Sequence, residues 1–246
     1  MDFQAGEILC FNKPLGWTSF KLVNDVRFSL CRGLKMKKLK VGHAGTLDPL
    51  ATGVMIVCTG RATKRIEEFQ YQTKEYVATM ELGATTPSFD MEKPIDKTYD
   101  YSHVTEALVR ETLQGFVGTI EQVPPSFSAC KIQGKRAYEY AREGEAIDLK
   151  PKTLIIDEIE LTDYQEASSD RRPRITVRVV CSKGTYIRAL ARDIGEALHC
   201  GAYLTALERT RVGDYRLSDC LDIVAFRQEY LGRLTPSLDN NQRIIS

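Results

Sequence analysis

The sequence predicts an α+β domain built on a mixed sheet. Segments with helical apolar spacing and segments with alternating spacing share one chain, and they lack the regular strand-helix-strand rhythm of a parallel α/β protein. A length of 246 residues suits one elaborated domain better than two full ones. With 43% hydrophobic and 27% charged residues, the chain has material for a sizeable core and is not a disordered polymer.

The elements follow in order. Ser19 is placed as an N-cap ahead of Leu22, Val23, Val26 and Leu30, an apolar face at helical spacing that predicts a helix over 19–31. Apolar and β-branched runs predict strands over 54–59 and 76–82. Ile175, Val177 and Val179 alternate with Thr176, Arg178 and Val180, as in a strand with one buried face. A Ser182-Lys183-Gly184-Thr185 turn leads into a helix carrying Ile187, Leu190, Ala191, Ile194 and Leu198 and stopping at Gly201. Between these strands, residues 124–140 are punctuated by Pro and Gly and mix Lys131, Lys135 and Arg136 with Phe127, Tyr138 and Tyr140. Such a mixture suits either nucleic-acid contact or an ordinary insertion with inward-facing aromatics.

Several function classes drop out. No apolar stretch approaches the roughly 20 residues a membrane helix requires, and the acidic start lacks the form of a signal peptide, so a cytoplasmic protein is expected. Seven cysteines, an odd number among apolar neighbours and without CxxC spacing, fit a reducing compartment. His43, His103 and His199 form no zinc pattern, and no metal site is expected. The net charge of +1 conceals an imbalance. Residues 1–65 hold 11 Lys/Arg against 4 Asp/Glu, and the cations concentrate in Arg32-Gly33-Leu34-Lys35-Met36-Lys37-Lys38-Leu39-Lys40. That run suits an anionic polymer or a solvated loop equally.

The stretch Gly42-His43-Ala44-Gly45-Thr46-Leu47-Asp48-Pro49-Leu50-Ala51-Thr52-Gly53 is the most informative. Its glycines and proline fix an irregular backbone and place one carboxylate just before an apolar strand. By itself Asp48 reads as a turn residue or as a poised acid. The glycine pattern fits neither a P-loop nor a dinucleotide fingerprint.

All twelve positions of this stretch resemble the signature of the TruB-type tRNA pseudouridine-55 synthases. Further matches occur in the expected order: Asn12-Lys13-Pro14-x-Gly16, Lys74-x-Tyr76, Pro125-Ser126-x-Ser128-Ala129, Cys181-Ser182-Lys183-Gly184-Thr185-Tyr186-Ile187-Arg188, and Leu207-x-Arg209-Thr210. The resemblance implies a pseudouridine synthase fold with a mostly antiparallel sheet. It implies a catalytic domain over 1–224, an RNA-gripping insertion over about 124–152, and a short tail over 225–246. Asp48 matches the catalytic aspartate that attacks the target uridine. Tyr76 matches the tyrosine that stacks on the base, and Arg188 the arginine that pairs with the catalytic carboxylate. His43 matches the histidine that wedges into the T loop as the nucleotide flips out. Tyr186 and Leu207 match the lining of the uracil pocket, and Asp90 an acid that orders Tyr76 and the base. Lys64, Lys131, Arg136 and Lys183 are expected phosphate contacts. The implied substrate is the T arm of tRNA, with no cofactor and no obligatory protein partner.

Three departures stand out. Thr86-Pro87-Ser88-Phe89-Asp90 replaces the family's usual Thr-Asp-Thr-x-Asp, Glu208 replaces a common basic residue, and with the sequence ending at Ser246 a short helix and tail are expected in place of a well-developed appended RNA-binding domain. Two rivals share the surface: a guide-directed relative of the box H/ACA synthases, and a non-catalytic chaperone of the tRNA elbow.

Overall fold

A computed structural model describes residues 1–128, 131–132, 135–136, 140 and 149–232. The chain forms two compact units, the first from Met1–Tyr71 with Arg211–Ser246 and the second from Gln72–Thr210.

In the first unit, strand β1 (Ile8–Lys13) is followed by helix α1 (Ser19–Gly33), β2 (Val41–Ala44), β3 (Ala51–Thr59), a 3-10 helix (Gly60–Arg65) and α2 (Ile66–Tyr71). β3 pairs antiparallel with β1, from Ile8 opposite Cys58 to Lys13 opposite Gly53, and with β2, from Val41 opposite Thr59 to Ala44 opposite Ile56. Cys10, Ala44, Val54, Ile56, Cys58, Ala62, Phe69 and Val212 fill one core cluster. The expected helix is present with Leu22, Val23, Val26 and Leu30 buried, but its cap lies one residue earlier. Thr18 accepts the Lys21 N–H at 3.1 Å, while Ser19 turns inward.

The C-terminal helix α5 (Ile223–Gly232; α4 is given below) belongs to this unit and packs on α1. Phe226 meets Phe11 edge-on at 5.1 Å, and Tyr230 meets Phe3 edge-on at 5.7 Å. Gly33 permits the close approach, because a Cβ there would stand 2.1 Å from the Tyr230 carbonyl oxygen. The expected tail boundary at 224 therefore falls inside a helix.

The second unit holds β4 (Lys74–Leu82), the short pair β5 (Ala84–Thr85) and β6 (Lys97–Thr98), α3 (Glu106–Gln114), β7 (Gly118–Gln122), β10 (Lys152–Gln165), β11 (Arg174–Cys181), α4 (Ile187–Ala197) and most of β12 (Ala202–Val212). Its strands lie in the order β12-β4-β11-β10-β7. β4 to β11, β11 to β10 and β10 to β7 are antiparallel, in keeping with the mostly antiparallel sheet of the expected α+β class, and outside the named strands an isolated parallel bridge joins Asp90 to Leu204. Ile175, Val177 and Val179 are wholly buried, as their alternation predicts.

Of the 124–152 insertion, two short strands are described, β8 (Lys131–Ile132) and β9 (Lys135–Arg136), paired antiparallel with Lys131 opposite Arg136. The rest of the segment expected to grip RNA, from 129 to 148, lies largely outside the described residues. No described helix is long and apolar enough to cross a membrane.

Candidate active site

The Asp48 loop is held at several points by the chain around β1 and the start of α1. Gly45 and Gly53, with φ of +88° and +104°, adopt backbone conformations that side chains resist. Leu47 is buried and its peptide groups cannot reach water. The Ser19 hydroxyl satisfies both of them, accepting from Leu47 N at 2.8 Å and donating to Leu47 O at 2.9 Å. Gly16 N donates to Pro49 O at 2.8 Å, Ala51 N to Asp48 O at 3.0 Å, and Gly53 N to the Asn12 side-chain oxygen at 3.1 Å. Fully buried Lys13 fixes the intervening turn, donating to the carbonyls of Pro14 at 2.9 Å and Trp17 at 2.6 Å. Asp48 stays half-buried at the crest of a loop whose flanks are tied down. His43, also half-buried, lies on β2 opposite Val57, and Lys64 is exposed on the 3-10 helix.

The sequence places Ser19 as a helix cap, and its position beside the Asp48 loop gives it another task. Ser19→Ala leaves the Leu47 N–H and C=O buried without that partner, a loss of about 1–3 kcal/mol per group. A carboxylate displaced by a fraction of an ångström loses alignment. Turnover of the Ser19→Ala protein is therefore expected to fall about 10- to 100-fold while RNA affinity changes little, as single-turnover kinetics and direct binding would show.

In the second unit, Tyr76 is buried on β4 opposite Val179, and Lys74 lies two residues earlier on the same buried face. Burial, then the Arg209 guanidinium, push the Lys74 ammonium down to about 8. Its Nζ donates to the Gln72 carbonyl. Arg209 is itself buried, Glu208 and Leu207 are half-buried on β12, and Lys183 is exposed in its turn.

Arg188, the second residue of α4, is 6% exposed. Its Nε lies 3.6 Å from the Asp90 carboxylate, Nη1 donates to Ser88 O at 3.2 Å, and Nη2 donates to Phe127 O at 2.9 Å. One guanidinium thus joins the 86–90 loop to the root of the insertion. The departure in that loop is accommodated locally. Thr86 Oγ1 donates to Asp90 O at 2.7 Å, Phe89 N donates to Thr86 O at 3.1 Å, and Phe89 takes a left-handed conformation with φ of +60° under the Arg192 guanidinium. Asp90 is retained in place, its second oxygen accepting from Glu92 N at 2.9 Å.

Tyr186 sits at the entry to α4, where no side chain of its own caps the helix. Buried Gln122, the last residue of β7, supplies the partner: Tyr186 N donates to Gln122 Oε1 at 2.9 Å, and Gln122 Nε2 donates to Tyr186 O at 3.2 Å. Sequence reasoning missed Gln122 altogether, and it missed the bond of Ser19 to Leu47; each is a single polar residue beside a recognised motif. Among the described residues no group of three or more His, Cys, Asp and Glu side chains could hold a metal ion.

Residues 32–187 match the model of the TruB family pseudouridylate synthases, N-terminal domain, and residues 188–236 match the tRNA pseudouridylate synthase B C-terminal domain. The chain is 68% identical over 228 residues to tRNA pseudouridine synthase B of Bacteroides thetaiotaomicron, covering 93% of this chain and 94% of that protein. It is 67% identical over 226 residues to the protein of the same name from Phocaeicola vulgatus, covering 92% and 94%. A solved structure of an archaeal box H/ACA sRNP Nop10-Cbf5 complex contains a chain similar to this one, with a TM-score of 0.61 at 28% identity over 93% of this chain. This chain spans only 54% of that one. With a family model over most of its length and relatives this similar over more than nine tenths of both chains, the chain belongs to the TruB family of pseudouridylate synthases.

Proposed function

We propose that the protein converts uridine 55 in the T arm of tRNA to pseudouridine in the cytoplasm, acting on the RNA without a protein partner. The tied-down Asp48 loop carries this reading, because it offers one oriented carboxylate on a backbone held from Asn12, Gly16 and Ser19. Asp48 is the group that attacks the target nucleotide. The bond from the sugar C1′ to N1 of uracil breaks, the base turns, a bond forms from C1′ to C5, the C5 proton is lost as N1 gains one, and Asp48 is released as a free carboxylate. Product and substrate are isomers, so the reaction consumes no co-reactant and requires no organic cofactor.

Tyr76 is assigned to the face of the base, and Arg188 supplies the cation of the site, set in place by Asp90. His43 is assigned to the vacated stack in the loop, where a planar ring offsets part of the cost of flipping. Tyr186 and Leu207 are assigned to the uracil, with the Tyr186 main chain held by Gln122. Lys64, Lys131, Arg136 and Lys183 remain the assigned phosphate contacts.

Incubation of the purified protein with an unmodified T-arm hairpin, without guide RNA or other protein, should yield pseudouridine at the target position by mass spectrometry. A protein that needs a guide RNA would leave that hairpin unchanged, and a chaperone would refold tRNA without altering its nucleosides.

A further inference from the structure

The basic run after α1 has no part in the assignments above. Arg32, Lys35, Lys37, Lys38 and Lys40 are all exposed, while Leu39 between the last two is 5% exposed and anchors the segment. The chain leaves the helix in a fixed way: Lys35 takes a left-handed conformation at φ of +53°, and Met36 N donates to Cys31 O at 2.8 Å. Arg32 and Lys35 lie at the negative end of the α1 dipole, which accounts for cations there. Lys37, Lys38 and Lys40 lie beyond the last turn and have no such cause.

Gly60 N donates to Lys40 O at 2.8 Å, so the end of the run meets the start of the 3-10 helix, whose Arg61 and Lys64 are also exposed. The acids nearby are few and engaged. Glu68 pairs with Arg65 at 2.9 Å, and Asp2, which Arg61 faces, accepts from Gln4 N and Ala5 N at 3.0 Å each. Among the described residues, Lys35, Lys37, Lys38 and Lys40 have no carboxylate within ion-pair distance.

The run leads directly into β2. His43 follows Lys40 by three residues, about 10 Å of extended chain. Lysine presents a compact, hydrated charge on a flexible stem, suited to phosphates in general and to no base in particular.

We propose that residues 35–40, together with Arg61, form a phosphate-binding surface for the T-arm RNA strand that flanks the target uridine. The inference rests on the assignment of His43 and Asp48 to that RNA. It extends the grip to the unit that carries β2.

The test compares the wild type, a Lys38→Gln/Lys40→Gln protein, and a Lys97→Gln/Arg171→Gln protein that loses the same charge from exposed positions in the second unit. Affinity for a T-arm hairpin is measured between about 50 and 200 mM salt, where each lost phosphate contact lowers the slope of log affinity against log salt by about 0.7–0.9. For Lys38→Gln/Lys40→Gln the slope should be shallower by about 1.5, with affinity about tenfold weaker at the lowest salt. The Lys97→Gln/Arg171→Gln protein should track the wild type. A slope equal to wild type, an equal fall in the control protein, or an effect seen with whole tRNA and not with the hairpin would each overturn the proposal. Conversion of the hairpin by the wild type tests the underlying reading separately, since it does not depend on the salt slope.

Discussion

Replacing Asp48 by Asn is expected to stop pseudouridine formation while leaving RNA binding in place. Asparagine keeps the volume and the hydrogen-bonding capacity of aspartate and removes its charge and its attacking oxygen. The bonds that shape the loop run through the main chain of Leu47, Asp48 and Pro49 and through Ser19, Asn12 and Gly16, so they do not depend on the Asp48 carboxylate. Single-turnover conversion of a T-arm hairpin should drop by about four orders of magnitude or more, the scale of losing a covalent nucleophile. The dissociation constant should stay within a few-fold. Conversion at an undiminished rate would remove Asp48 from the chemistry.

Arg188→Ala should give the next largest loss, and its cost has two parts. Turnover should fall about 10²- to 10³-fold, as when a preorganised charge is removed from an active site. The protein should also be less stable, because the buried Asp90 carboxylate is left without its cation, a loss of about 3–5 kcal/mol for a broken buried pair. An additional variant separates the parts. In Arg188→Met/Asp90→Leu both charges are gone, so thermal stability should recover toward wild type while turnover stays low. Recovery of turnover along with stability would show that Arg188 serves only the fold.

Elements whose apolar pattern is regular could be read directly. Helix α1, strand β11 and helix α4 all follow a single period, and their boundaries agree with the pattern to within two or three residues. Strand β10, the longest, went unread for a physical reason. Its register against β11 shifts between Ile156 and Glu158 and again between Leu161 and Asp163, so buried Ile156 and Ile159 are three residues apart and the alternation breaks. For the candidate site, Asp48, Tyr76 and Arg188 were marked by the motifs that carry the family resemblance, and Asp90 by its place in a loop that departs from the usual pattern. What holds them was not. Ser19 reaches Leu47 across 28 residues and Gln122 reaches Tyr186 across 64, and a single serine or glutamine carries no periodic signal of such a partnership. Ser19 also sits where a helix cap is expected, so the commoner role concealed the rarer one.

The aromatic contacts of Phe3 and Phe11 with Tyr230 and Phe226 set an order on synthesis. The second unit is one continuous stretch of chain and can pack as soon as it leaves the ribosome, at about 5–20 residues per second. The first unit is built from chain on both sides of that stretch and cannot close its core until α5 has been made, so Phe3 and Phe11 stay uncovered while the second unit is synthesised. In a newborn chain the second unit, with the strand carrying Tyr76 and the helix carrying Arg188, can therefore fold before the first unit closes around Phe3 and Phe11.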